Sequence, residues 1–339
     1  MFTFENILDL PLIWGGLIAT AVLLYVLLDG FDLGVGILFP FAPSDKCRDR
    51  MMNSVAPFWD GNETWLVLGG GGLFAAFPLA YAIVMPAMYI PVIAMLLCLI
   101  FRGVAFEFRF KAETSRYIWD HAFHFGSLGA AFCQGLILGG IVQGIEVQGR
   151  SFAGGAFDWL TGFSVMCGLG VVAGYILLGA TWLIWKTEDV TQDWARKAAQ
   201  YILIFVAFFM GIVSLWVPFL DNDLHMRWLS QPNIYYLSAL PALTTLVFVL
   251  TWRSLRNPVK EAQPFVYSLG LFLLGYIGLA ISLWPWIVPY QVTLWDGAAA
   301  GTSLSLMLIG AAIMLPIILG YTAFCYYTFR GKSSHEHIY

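Results

Sequence analysis

Charge is what this chain has least of. Asp, Glu, Lys and Arg make up only 11% of its 339 residues, against 60% hydrophobic, and the mean hydropathy is +0.77. A soluble domain carries about a quarter charged residues, so the shortage excludes a water-soluble globular fold. There is no long basic patch and the net charge is -4, which gives nucleic acid no electrostatic footprint. No Lys-Ser/Thr pair follows the glycines at 69 to 72, so they are no phosphate loop. They read instead as small residues for close helix packing. Cysteine and histidine number five each. Cys98, Cys133, Cys167 and Cys325 fall inside apolar runs and Cys47 in a loop, so they read as packing residues rather than disulfide partners.

What is present is a series of apolar runs. A bilayer core needs roughly 20 mostly apolar residues per helix, and nine runs qualify: 11 to 39, 54 to 77, 79 to 101, 121 to 142, 160 to 185, 198 to 220, 234 to 252, 265 to 286 and 301 to 329. The weakest is 54 to 77, because it contains Asp60, Asn62 and Glu63. Basic residues are retained on the cytoplasmic side. With the N-terminus outside, fifteen of the 17 fall in inner segments, among them Arg102, Arg109, Lys111 and Arg116 in segment 102 to 120, leaving only Arg150 and Arg227 outside. That asymmetry predicts nine spans, N-out and C-in. Glu5 and Asp9 with no Lys or Arg in the first ten residues make the first run a retained span rather than a cleaved signal. No loop reaches 20 residues, so residues 1 to 339 read as a single integral membrane domain.

Redox chemistry in a helical bundle usually needs haem, and haem iron needs an axial ligand. His335 and His337 lie in the polar tail and His225 in an outer loop; only His121 and His124 share a helical face at the start of a run. Beside Asp120 they read as interface histidines, and the chain by itself makes a poor haem protein. The carboxylates carry the stronger signal. Asp29 and Asp32 interrupt the first run in LLDGFDLGVG, and Asp60 and Glu63, three apart, share a face of the second. A charge at membrane depth costs several kcal/mol unless paired, hydrated or protonated, and such residues tend to mark ion or proton routes. The structural alternative makes Asp60 a helix cap and bonds Asp29 to a basic residue such as Arg102. Trp284, Pro285, Trp286, Pro289 and Trp295 cluster at the outer end of the eighth run, where aromatic rings favour the interface, with Asp296 placed to cap the ninth.

Four strings complete the reading: DGFDLGVG at 29 to 36, NSVAPFWDGNETWL at 53 to 66, FRGVAFEFR at 101 to 109 and PWIVPYQVTLWDGAA at 285 to 299. Together they resemble subunit II of the cytochrome bd-type quinol oxidases over nearly the whole chain, with the GNETWL and FRGVAFEFR wording closest to the cyanide-insensitive branch. The resemblance implies an all-α membrane protein of nine helices, two four-helix bundles plus one peripheral helix, in the bacterial inner membrane. It implies a haem-free partner of subunit I, which would carry two b-type haems and one d-type haem. Quinol and oxygen would be the substrates, with cytoplasmic protons taken up and no pumping. It also allows small single-helix subunits, surrounding lipid and a structural quinone. In the family pattern Asp60 lies on a proton route and Trp65 near an oxygen path. Asp29 is a signature residue, and Glu107 and Asp120 fall in the matching inner segment, Glu107 where other members carry Asp. A different class of function stays open, a stand-alone ion-coupled secondary transporter using Asp29 and Asp60.

Overall fold

A computed structural model describes residues 8–112 and 114–333; Glu5, His335 and His337 lie outside the described residues. The fold is helical almost throughout. In chain order the helices are α1 (Leu10–Leu38), α2 (Asp45–Val55), α3 (Trp59–Ala76), α4 (Pro78–Ala87), α5 (Tyr89–Lys111), α6 (Arg116–Gln143), α7 (Gly162–Lys186) and α8 (Asp189–Trp216). There follow α9 (Asn222–Leu229), α10 (Asn233–Leu237), α11 (Ala239–Leu255), α12 (Gln263–Leu283), α13 (Leu294–Gly297) and α14 (Gly301–Thr328). Two small antiparallel hairpins, β1 (Val147–Gln148) with β2 (Ser151–Phe152) and β3 (Trp286–Val288) with β4 (Val292–Thr293), close loops at one end.

Among the described residues eight helical segments are long and apolar enough to cross a membrane, and α3 falls outside that set. Its 18 residues begin with Asp60, Asn62 and Glu63, so its apolar content sits in the second half. The third apolar run divides differently from the expected 79 to 101. The helix breaks at Met88, with φ -106° and ψ 18°, and the crossing helix starts at Tyr89 and continues to Lys111. α4 packs instead against β2, β3 and α13. Arg102, Glu107, Arg109 and Lys111 therefore sit on α5 and not in a loop. The expected cap at Asp296 is also corrected. Its carboxylate accepts from the Thr293 hydroxyl within α13, while α14 starts at Gly301 after Ala300.

α1 runs through the middle of the molecule, against α3, α6 and α7. Its start is fixed by Asp9, whose Oδ1 accepts from the Leu12 amide at 3.1 Å, an N-cap followed by Pro11 in the first turn. Its closest approach is to α7. A Cβ on Gly34 would overlap the Tyr175 carbonyl, and one on Gly179 would strike the backbone of Gly34. Backbones that close need small residues on both helices. Below this crossing Phe31 stacks on Trp182 at 4.2 Å, with the Phe265 ring edge-on to both. α5 lies against α6, α6 against α7, α7 against α8 and α12, and α11 against α8 and α12, while the mostly exposed α14 touches α1 and α3 at the margin.

Hydrogen bonds tie each end of the bundle together. At one end Arg50 donates to the Glu188 carbonyl (2.8 Å), and Arg196 donates to the carbonyls of Asn257 (3.2 Å) and Lys260 (3.1 Å). At the other, Arg227 reaches the carbonyls of Ile281 (2.7 Å) and Ser282 (3.1 Å), and Tyr290 donates to Val142 O (2.9 Å). The bonds to Ile281, Ser282 and Val142 satisfy carbonyls left open where α12 and α6 stop, and the others fasten the start of α8 and the α11–α12 linker.

Candidate functional site

The residues of the first two carboxylate motifs converge on one side chain. Arg102, fully buried on α5, directs Nη2 at Asp29 Oδ1 (2.7 Å) and Nη1 at Glu63 Oε1 (3.0 Å), and its Nη2 stands 3.9 Å from Asp32 Oδ2. α1 supplies two of the carboxylates because Asp29 and Asp32 are three apart and share a face; α3 supplies the third. The pairing of Asp29 with Arg102 is the one named among the sequence alternatives. A guanidinium presents a planar fork that suits two carboxylates at once; here Nη1 hydrogen-bonds Glu63 and Nη2 faces Asp29 as an ion pair.

Asp32 is held from another direction. Asn62 Nδ2 donates to its Oδ2 at 2.6 Å and to the Leu28 carbonyl at 3.3 Å, while Asn62 Oδ1 accepts from the Tyr326 hydroxyl of α14 at 3.0 Å. On the far side of the cluster Tyr25 lies beside Asp29. Gln134 Nε2 donates to the Tyr25 hydroxyl at 2.7 Å, and the Tyr175 hydroxyl donates to Gln134 Oε1 at 2.7 Å. A polar chain thus crosses from α14 through α3, α1 and α5 to α6 and α7. Tyr25, Gln134 and Tyr175 also line a mostly apolar cavity of about 910 Å3 bounded in part by α7, α8 and α12. Among the described residues both Asp29 carboxylate oxygens, Asp32 Oδ1, and Arg102 Nε and Nη2 make no hydrogen bond of good geometry, so Asp29 and Arg102 attract as an ion pair and the centre is rich in unused polar valence.

The other expected site residues are distributed around this centre. Asp60 is exposed in the first turn of α3, where a carboxylate complements the helix N-terminus, and among the described residues it makes no ion pair. It precedes Glu63 by one turn, but only Glu63 reaches Arg102. Trp65 is buried against Ala21 and Tyr25, with its Nε1 unpartnered. Asp120 belongs to a second ionic group at the basic end, where buried Arg109 bonds it (2.5 Å) and also Asp49 (2.8 Å), which Arg116 bonds in turn. Glu107 is exposed and pairs with Lys111 along α5. His124 places Nδ1 3.0 Å from the Ile37 carbonyl, whereas His121 is exposed and stacks on Phe125. Both rings pack on Phe125. All five cysteines are free.

Sequence reading left Asp32 outside the predicted site, noted Asn62 only as a polar interruption of its run, and did not name Tyr25, Gln134, Tyr175 or Tyr326. A signal existed for some of them: Asn62 and Gln134 are polar residues within apolar runs. The tyrosines gave none, because tyrosine is common at membrane interfaces.

These features define a multi-pass membrane protein with a buried centre of three carboxylates around one arginine. The comparisons with known proteins identify its family. Residues 10–329 match the family model of cytochrome bd terminal oxidase subunit II, and the chain belongs to that family. It is 31% identical to cytochrome bd-I ubiquinol oxidase subunit 2 of Escherichia coli K12, over 97% of this chain and 96% of that one. It is also 31% identical to cytochrome bd ubiquinol oxidase subunit 2 of Bacillus subtilis 168, over 96% and 97% respectively. The bd oxidase structure from Geobacillus thermodenitrificans superposes with a TM-score of 0.75 at 18% identity, covering 96% of this chain and all of that one. The chain is a subunit of an oxidoreductase complex, a cytochrome bd terminal oxidase, whose subunit I is its implied partner.

Proposed function

We propose that this chain is the haem-free subunit II of the oxidase, stabilising haem-bearing subunit I and leading cytoplasmic protons towards it through Asp60. The observation that carries the reading is the arrangement on α3. Asp60 stands exposed at the start of the helix, and one turn further Glu63 is bound into the buried Arg102 cluster. Three carboxylates on one guanidinium are an excess of acid suited to holding and releasing protons, and an exposed carboxylate at the edge of the membrane is a natural point of exchange.

On this reading the complex reduces oxygen to water with electrons from quinol, and the charge separation arises from protons taken up on the inner side without pumping. The two b-type haems and the d-type haem belong to subunit I. Helix contacts support two four-helix sets, α1, α3, α5 and α6 beside α7, α8, α11 and α12, with α14 peripheral. That makes nine spans once α3 is counted, N-out and C-in in the bacterial inner membrane, as the basic residues favour. Trp65, buried beside Tyr25, borders the proposed oxygen entry. The 910 Å3 cavity, mostly apolar, with Tyr25, Gln134 and Tyr175 in one wall and Ser214, Ser238 and Ser282 elsewhere, has the character expected of a site for a structural quinone. Glu107 and Asp120 lie at the basic end and serve as secondary members of the proton-collecting surface. The transporter reading, with Asp29 and Asp60 coupling an ion, has less support, since Asp29 is locked on Arg102.

The test is Asp60→Asn in the complete complex. Turnover should fall at least tenfold while the reduced-minus-oxidised haem spectrum keeps its wild-type amplitude. Normal oxygen consumption would remove Asp60 from the route, and loss of haem d would make its role one of assembly.

A further inference from the structure

A second cavity, of about 220 Å3, opens at the basic end. Its walls come from the end of α2 (Asn53, Ser54), the end of α7 (Lys186) and the segment following α14, including Lys332 and Ser333. Among the described residues no carboxylate lines it, and two ammonium groups do.

Lys186 is the unusual member. It is only 4% exposed, and among the described residues it has no ion pair. Its Nζ donates to the Phe329 carbonyl at 2.6 Å and lies 5.4 Å from the Trp182 ring and 5.8 Å from the Phe58 ring. The carbonyl end of α14 and the two rings attract a cation, yet they use one of three donors. Lys332 is satisfied on its outer side by Glu261 Oε2 (2.7 Å) and the Thr187 carbonyl (3.0 Å), which leaves Lys186 without a counter-charge. The hydroxyl of Ser333, on the same wall, donates to Arg50 O at 2.9 Å, fixing the segment that carries Lys332.

At about 30 Å3 per water, the cavity has room for a phosphate group. Its position is that of a lipid headgroup. It lies where α7 and α14 end, and α14 leads away from it with Tyr327, Phe324 and Tyr321 exposed, an aromatic surface of the kind that meets the headgroup level. Basic pockets between helices on the inner side of a membrane recognise anionic headgroups. We propose that this cavity binds a phosphate group between Lys186 and Lys332, supplied by an acidic phospholipid of the inner leaflet. The proposal does not use the proton route, so either can fail without the other.

The experiment uses the whole oxidase complex, purified and stripped of lipid with detergent. Its unfolding midpoint is followed while phosphatidylglycerol, phosphatidylcholine or inorganic phosphate is added. Phosphatidylglycerol should raise the midpoint and phosphatidylcholine should not. The half-saturating concentration should rise about tenfold in Lys186→Gln and in Lys332→Gln, the loss of one charge-assisted contact. If Lys186→Gln does not assemble, Lys332→Gln carries the test, because Lys332 is partly exposed. A response to inorganic phosphate that both variants weaken would keep the site and make free phosphate its source. Equal phosphatidylglycerol responses in wild type and variants, or no response in wild type, would overturn it.

Discussion

Arg102 is the residue on which the centre depends. Removing one partner of a buried ion pair leaves an uncompensated charge and costs about 3–5 kcal/mol, and here one guanidinium answers to Asp29, Glu63 and Asp32. Arg102→Met should therefore lose the assembled complex, seen as haem content per milligram of membrane falling severalfold. Arg102→Lys should recover only part of it, because an ammonium restores the charge but not the fork. Wild-type haem content in the Met variant would show that the carboxylates are satisfied without Arg102. At this scale the sequence was half legible. An acidic pair in DGFD and another in WDGNE announced themselves against an apolar background, and Arg102 was a nameable partner. What could not be read was which acid reaches which base. Asp60 and Glu63 have identical claims by spacing, and only the helix orientation turns Glu63 inward and leaves Asp60 exposed.

At the scale of the element, the segment after α14 acts as a strap across the basic end. Lys332 bridges to Glu261 in the turn before α12, and the Ser333 amide donates to the Lys186 carbonyl at 2.7 Å. Hydrogen bonds from Lys332, and then from Gln192, hold the Glu261 carboxyl below the usual glutamate range. The sign follows from that lowering. With the strap released, Glu261 takes a proton near its ordinary value of about 4.3; with the strap docked it resists. Docking is therefore strongest above that range and weakens as pH falls through it. Hydrogen exchange of residues 329–333, corrected for intrinsic rates, should be faster at pH 4 than at pH 7 in wild type, and alike at both in Glu261→Gln. A pH-independent wild-type profile would show that the backbone bonds alone hold the strap. Element boundaries were legible only where chemistry changed. The break at Met88 separates two apolar helices with no polar marker between them, so hydropathy merged them. The polar start of α3 was visible, and it correctly made that run the weakest.

For the whole molecule, the two ends differ in charge and in how they are tied. Arg50, Arg196, Lys186, Lys260 and Lys332 gather at one end, and Arg227 and Arg150 stand with the two hairpins at the other. Basic residues stay with the cytoplasm, which predicts that the end bearing Lys260 and the start of α3 faces inward. The prediction can be checked by introducing single cysteines, since Cys47, Cys133 and Cys167 are buried and Cys98 and Cys325 half-buried, leaving little background. Arg150→Cys, in the turn between β1 and β2, should react with a membrane-impermeant maleimide in intact cells. Lys260→Cys, between α11 and α12, should react only after the membrane is opened. The reverse pattern would place Asp60 on the outer side, away from the compartment from which the oxidase is proposed to take up protons, and would overturn its place on the proton route.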